Sequence, residues 1–308
     1  MLAKGYGLPK IHKEGFPVHP IISLINSSTY KLAKFLYQDL KEAFPLPASH
    51  VNNSFEFVSK VKKLKINSND CLISLDATSL FTNITYEQVL KSLEKRASLI
   101  HRKCKIPFHE IITCTKFLFD NTYFSFCNKY YKQIRGCPMG SPISALFANL
   151  VLEDLEIECL NRLKQKYNCE PKCYFRYVDD TFLCIQKRDF DHVFKVFNEY
   201  DDNIKFTHEI ELNEKINFLD VTIYRTNNVI STNWYQKSIA SDRVLLFTSN
   251  HTVQQKRNMV YNLVDRAFLL SDKQFHDDNE RTIIQILLNN KYPIKFIEVN
   301  MRNRLNEI

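Results

Sequence analysis

Five glycines in 308 residues is the tightest constraint on this chain, because a globular domain usually devotes about 7% of its length to glycine. They stand at Gly5, Gly7, Gly15, Gly136 and Gly140. No three of them fit G-x-G-x-x-G, and no Gly-Lys-Ser/Thr follows any of them. A Rossmann dinucleotide loop and a Walker phosphate loop are therefore excluded, since both need glycine where backbone closes on pyrophosphate. The remaining composition, 44% hydrophobic and 25% charged, is that of a soluble globular chain with a sizeable core. The length allows about two domains or one lobed enzyme.

Charge is distributed unevenly. The net charge is +8, with +6 in residues 1–66, −3 in 67–90 and +7 in 91–135. Two basic blocks around an acidic insert suit a polyanionic partner, although a solvated lysine-rich face satisfies the same numbers. Nine cysteines without a regular frame read as reduced thiols of an intracellular protein. Cys169 and Cys173 lack a nearby second pair of ligands, so buried thiols are preferred there over zinc. The longest uncharged run, 136–152, is short for a membrane span of about 20 residues and contains Pro138 and Pro142. The N-terminus has no apolar signal-peptide run.

Periodicity divides the chain into mixed strands and helices followed by a helical tail, an α+β body with an α-helical appendage. The apolar spacing of 30–44 predicts a helix. The run 71–75 predicts a buried strand that ends on Asp76. Thr85-Tyr-Glu-Gln88 and Thr252-Val-Gln-Gln255 have capping-box spacing. Ser141-Pro142 suits an N-cap followed by proline at the first helical position, ahead of a stripe from Ile143 to Leu155. Residues 174–185 predict a hairpin meeting at Val178-Asp179-Asp180, and 218–235 predict strands turning at Thr226-Asn227-Asn228. Helices are expected from Thr252 onward, a second one over 283–288 and ending before Pro293.

Asp76, Asp179 and Asp180 are the candidate chemical groups. Each alone is ordinary turn or cap chemistry. Brought together without a cation, they would repel by about 4 kcal/mol per pair at ~4 Å and an effective dielectric of ~20. Such a cluster persists when hard divalent cations neutralise it, and oxygen-only ligands favour Mg²⁺. That is the donor set of two-metal nucleotidyl transfer.

Six motifs now fall into one order: Gly7-Leu-Pro-Lys-Ile-His-Lys13, His19-Pro-Ile21, Leu75-Asp-Ala-Thr-Ser-Leu-Phe-Thr-Asn83, Gly136-Cys-Pro-Met-Gly-Ser-Pro142, Phe175-Arg-Tyr-Val-Asp-Asp180 and Asn217-Phe-Leu-Asp220. With them the sequence resembles a reverse transcriptase of the Penelope-like retroelement group, which is related to telomerase, from about Tyr6 to Pro293. The resemblance implies a right-hand polymerase with an antiparallel palm sheet and a helical thumb. Fingers are expected over 1–66 and 86–135, palm over 67–85 and 136–235, and thumb over 236–308. It implies an RNA-directed DNA polymerase that adds dNTPs to a DNA primer 3′-OH on an RNA template, in the nucleus and with two Mg²⁺ ions.

By the same resemblance, Asp76, Asp179, Asp180 and the carbonyl of Ala77 hold the metals. Phe81 matches the bulky position that excludes a ribose 2′-hydroxyl. Gly140 and Pro142 match the loop and helix start under the incoming base pair, with Met139 where many relatives carry Gln. Tyr177 lies near the primer terminus, and Lys10 and Lys13 meet the triphosphate. Lys205 and Lys215 are both candidates for the general acid. His19 stands where similar enzymes carry Arg, and a mostly neutral imidazole without the guanidinium fork weakens triphosphate binding. That departure motivates the alternative of a decayed retroelement fragment that only binds nucleic acid. Phe81 and the absence of Gly-Asp-Asp argue against an RNA-dependent RNA polymerase. Members of the group often carry a GIY-YIG nuclease. No such motif follows Pro293, so the chain reads as the polymerase core of a longer element.

Overall fold

Alternating burial and capping residues set the elements of the computed structural model, which describes residues 2–9, 15–16, 18–237 and 241–308, with backbone only at His19. Lys10 and Lys13 lie outside the described residues. Among the described residues the strands are β1 (Ala3–Pro9), β2 (Val18–Ser23), β3 (Asp70–Ala77), β4 (Tyr123–Phe126), β5 (Lys129–Lys132), β6 (Cys173–Tyr177), β7 (Asp180–Gln186), β8 (Phe206–Ile210), β9 (Lys215–Phe218), β10 (Val221–Thr226) and β11 (Val229–Trp234). The α-helices are α1 (Tyr30–Leu40), α2 (Ser54–Val61), α3 (Leu80–Asn83), α4 (Tyr86–Lys95), α5 (Ala97–Lys103), α6 (Phe108–Asp120), α7 (Ser144–Tyr167), α8 (Phe190–Asn198), α9 (Val253–Leu269), α10 (His276–Asn289) and α11 (Ile294–Leu305). None is long and apolar enough to cross a membrane.

The chain forms two compact units. The first comprises residues 1–50, 75–170 and 188–208. Its sheet has the order β2-β1-β4-β5, antiparallel except for the parallel pair β1 and β4. Ala3, Ile22 and Leu24 are buried against one face, with Tyr30, Phe124 and Met139 packed on them. Both hydrogen bonds of the capping box at Thr85 are present, opening α4. Arg96 then ties α4 to α7 through Glu153 and Asp154, each at 2.9 Å. The Ser92 hydroxyl also donates to Asp154, so this largely buried carboxylate is fully engaged.

The second unit comprises 51–74, 171–187 and 209–308. It holds a sheet ordered β6-β7-β3-β8 and a three-stranded sheet ordered β11-β10-β9. β3 and β8 each continue into the first unit, with 70–74 and 209–210 belonging to the second. Phe57 on α2 centres the core, its ring 5.1 Å from Phe182 and 4.7 Å from Phe218. Glu211 and Arg225, both side chains buried, form a two-pronged ion pair at 2.6 and 3.1 Å. Asn227 and Asn228 both adopt positive φ and close the β10–β11 hairpin, as a two-residue asparagine turn does. The capping box at Thr252 opens α9.

Two local expectations are corrected. α1 stops at Leu40 rather than Phe44, because Phe44 precedes Pro45 and is disfavoured in helical geometry. β3 runs through Asp76 to Ala77 instead of ending on the acid. α10 ends at Asn289, ahead of Pro293 as expected, and Pro293 stands at the N-cap of a further helix, α11, since proline lacks only a donor that a first turn leaves unpaired. All nine cysteines are free thiols, with Cys169 and Cys173 buried.

The ring cluster gives a direct stability test. Phe57→Ala removes a side chain with no exposed surface and should cost about 3–5 kcal/mol, read as a lower urea midpoint with unchanged slope.

Candidate functional site

Within the first unit, the loop 136–142 is built by close backbone approach. Gly136, at φ +88°, lies so close to Phe81 and Thr82 that a Cβ would come within 2.6 Å of the Thr82 Cα. The Cys137 N–H donates to the Phe81 carbonyl at 2.7 Å. Gly140, at φ +74°, leaves room for no side chain either: a Cβ there would fall 1.8 Å from the Ile22 carbonyl oxygen of β2. Met139 packs on the Ala3–Ile22–Leu24 cluster. One side chain staples the loop. Gln133 Nε2 donates to the carbonyls of Arg135, Gly136 and Cys137 at 2.9, 3.2 and 2.8 Å, and its Oε1 accepts from the Met139 N–H. Residue spacing gave no sign of Gln133. Only the hydrogen bonds reveal it.

The helix start in this loop differs from expectation. Ser141 does not cap α7: the helix begins at Ser144 with Ile143 before it, and no side chain caps it. The Ser141 hydroxyl is buried without a hydrogen-bond partner among the described residues. A tight i→i+3 bond from the Ser144 N–H to the Ser141 carbonyl winds 141–144 into a turn first, and the Ser144 hydroxyl donates to the Pro138 carbonyl at 2.6 Å. Pro142 therefore sits in that turn, one step ahead of the helix.

The same unit holds Asp76, Ala77 and Phe81. Asp76 is exposed and its carboxylate has no hydrogen bond or ion pair among the described residues, while its backbone carbonyl accepts from the Thr207 hydroxyl. Thr78 N–H donates to the Lys205 carbonyl at 2.7 Å, so Lys205's backbone runs beside the end of β3. Its ammonium donates to the Asn198 carbonyl. Phe81 is half-buried in α3, whose preceding residue Ser79 is left-handed at φ +52°. His19 pairs through its backbone with Leu8.

Tyr177, Asp179, Asp180 and Lys215 belong to the second unit. β6 and β7 are antiparallel, with Tyr177 opposite Asp180, so Val178 and Asp179 form a two-residue turn. Val178 has φ +55°, an unfavourable conformation for a β-branched residue that costs about 1–3 kcal/mol. Arg176, 1% exposed, donates from Nη1 to the Val178 carbonyl at 3.1 Å. A buried guanidinium thus grips the turn that carries the acids, a role the sequence pattern did not disclose. Lys215 opens β9 and holds its ammonium 5.5 Å over the Tyr224 ring.

Carboxylates and a backbone carbonyl, without imidazole or thiolate, are a donor set suited to a hard cation such as Mg²⁺. Among the described residues no three His, Cys, Asp or Glu side chains are grouped so as to hold a metal.

The mixed strands and helices, with their antiparallel sheets, form a fold that resembles right-hand polymerases. A family model for reverse transcriptase (RNA-dependent DNA polymerase) matches residues 11–223, and the chain belongs to that family. A model for an animal helix-turn-helix domain matches residues 243–302, which include α9 and α10. No curated protein matches. Among solved structures, the chain is similar to telomerase from Candida albicans in complex with a fragment of telomeric RNA, with TM-score 0.61 and 13% identity over 99% of this chain and 55% of that one. It is also similar to apo telomerase from Candida tropicalis (0.57, 12%, 98% and 57%) and to the RNA-dependent RNA polymerase of a human picobirnavirus (0.56, 10%, 97% and 57%). At such identities the likeness is one of fold. The chain spans a little over half the length of these solved chains.

Gly140→Ala tests the loop. Combining positive φ with a clash against Ile22 backbone, it should destabilise by more than ~1 kcal/mol, measured by urea unfolding.

Proposed function

We propose that the chain is a Penelope-like reverse transcriptase that extends a DNA primer with dNTPs on an RNA template. Its fingers are 1–66 and 86–135, its palm 67–85 and 136–235, and its thumb 236–308. The observation that supports this most is the match of the reverse transcriptase model to residues 11–223, together with the hairpin whose two-residue turn carries Asp179 and leads into Asp180. In the proposal Asp76, Asp179, Asp180 and the Ala77 carbonyl hold two Mg²⁺ ions. When bound, the ions lower the pKa of the primer hydroxyl and stabilise the leaving pyrophosphate.

The chain's own groups do the rest. Lys10, Lys13 and His19 bind the triphosphate. Gly140 and Pro142 keep a bare, close-packed surface under the incoming base pair, beside Met139, and Tyr177 positions the primer end. As the 3′-hydroxyl gives its proton to solvent and its oxygen bonds to the α-phosphorus, the bond to the bridging oxygen breaks, and Lys205 or Lys215 protonates the departing pyrophosphate. Phe81 stands against a 2′-hydroxyl. The basic fingers agree with an RNA partner, and the nucleus is the proposed site of action.

Primer extension on an RNA template with Mg²⁺ and dNTPs checks this reading. Asp179→Asn should lower the rate by about a thousandfold or more while folding is retained, and equal activity in that variant sinks the assignment. Phe81→Ala should leave dNTP use largely intact and raise rNTP incorporation by roughly 10-fold or more, a loss of steric exclusion worth about 1.4 kcal/mol. Competition between labelled dNTP and rNTP measures it.

A further inference from the structure

Phe81 stands in a helix too short to hold itself. α3 has four residues, about one turn, and a lone turn orders more backbone than its few hydrogen bonds offset. Its closing bonds run from the Thr82 N–H to the Ser79 carbonyl and from the Ile84 N–H to the Leu80 carbonyl, both 3.1 Å. The Phe81 carbonyl is bonded from outside the helix, by the Cys137 N–H at 2.7 Å.

Cys137 is held in turn by the Gln133 amide, whose Nε2 donates to its carbonyl at 2.8 Å and to that of Gly136 at 3.2 Å. Gln133 is itself anchored. It follows Lys132, the last residue of β5, which pairs with Tyr123, and its N–H donates to the Thr122 carbonyl at 2.9 Å. Thr122 is buried, and its hydroxyl donates to the Leu118 carbonyl of α6. A continuous line of hydrogen bonds thus runs from α6 through Gln133 and Cys137 to the backbone of Phe81. Closing the loop would be met by any one of the bonds that Gln133 makes. Two of them instead fall on Gly136 and Cys137, the residues packed against Phe81 and Thr82.

We propose that Gln133 is a specificity-determining positioning residue: acting through Cys137, its amide holds the Phe81 backbone and sets how strictly a ribose 2′-hydroxyl is refused. The proposal rests on the reverse-transcriptase reading above, in which Phe81 faces that hydroxyl. Its effect is selective. A deoxyribose puts no load on the ring, so slack behind Phe81 changes dNTP use little. A ribose presses on the ring, and the overlap it meets depends on how firmly the supporting backbone is held.

The test is primer extension by the whole chain, with kcat and KM measured separately for dNTP and rNTP. Gln133→Glu keeps the side chain's shape and its acceptor but sets a carboxylate oxygen against the carbonyls. Gln133→Met keeps the bulk and removes both groups. Each should raise the rNTP-to-dNTP ratio of kcat/KM about 3- to 10-fold, the size expected from losing one or two neutral hydrogen bonds. The dNTP kcat/KM itself should fall less than about threefold. In a Phe81→Ala background the same substitutions should leave the ratio within about twofold, because residues that act as a unit are non-additive. An unchanged ratio in both single variants overturns the proposal, as do equal losses with both nucleotides or an undiminished rise in the Phe81→Ala background. Failure of both variants to fold, seen as loss of the urea transition, also overturns it, by making the amide a determinant of the fold alone. The two readings fail differently. A wild-type chain that extends nothing removes the polymerase reading and this inference with it. A chain that extends, with rNTP use raised by Phe81→Ala but not by the Gln133 variants, keeps the polymerase reading and overturns this inference alone.

Discussion

The two-residue turn between β6 and β7 is the constraint on which the rest depends. Adjacent carboxylates repel each other, and nothing in an exposed loop keeps them fixed. Here antiparallel pairing closes directly on Tyr177 and Asp180, which leaves Val178 and Asp179 no room to relax. Valine in a left-handed conformation is costly. The cost is met from the surrounding structure: Arg176, buried beneath the hairpin, holds the Val178 carbonyl, and Phe182 further along β7 is locked against Phe57 and Phe218. A strained tip on a rigid stem fixes the direction of its acids more firmly than a relaxed loop does.

The first unit achieves rigidity by a different route. Two of only five glycines, Gly136 and Gly140, stand where backbone meets backbone, against Thr82 and Ile22 respectively. The scarcity is thus informative: glycine is kept for contacts that no Cβ permits. Gln133 then satisfies carbonyls that the tight loop turns away from regular pairing. A buried unsatisfied carbonyl costs about 1–3 kcal/mol, so the amide's bonds to the buried residues Gly136 and Cys137 secure groups that would otherwise oppose the fold.

Much of this was legible in the order of residues. Both capping boxes announce themselves because Thr and Gln three apart have only one good reciprocal arrangement. The asparagine pair at 227–228 is equally local, as positive φ at two positions suits few other residues. The acidic hairpin follows from alternation on either side of it. What stayed hidden depends on distant partners. Ser141-Pro142 has the composition of a helix start, but the Pro138 carbonyl captures the Ser144 hydroxyl and moves the start onward. Gln133 and Arg176 belong to no motif of spacing, since their roles come from carbonyls presented by folded turns. The tyrosines of β1, β4 and β5 belong to no motif of spacing, and only the register shows that Tyr6, Tyr123 and Tyr130 share one face.

The overall fold leaves one chemical choice open, because it serves both DNA-making and RNA-making polymerases. In the proposed function, sugar discrimination resides in a side chain whose position the backbone dictates. Phe81 meets that condition. It lies in a four-residue helix entered through a left-handed serine, and its carbonyl is pinned by the Cys137 N–H. The helix end is fixed again where the Ile84 N–H bonds the Leu80 carbonyl. With backbone held on both sides, the ring has few rotamers to choose from, and a steric gate works only when it cannot swing aside. A flexible aromatic would yield to an extra oxygen for little free energy, whereas a fixed one forces overlap on the order of 1–3 kcal/mol. In the proposed function, selection for dNTPs is an outcome of how the loop 136–142 packs on α3, two segments more than fifty residues apart along the sequence.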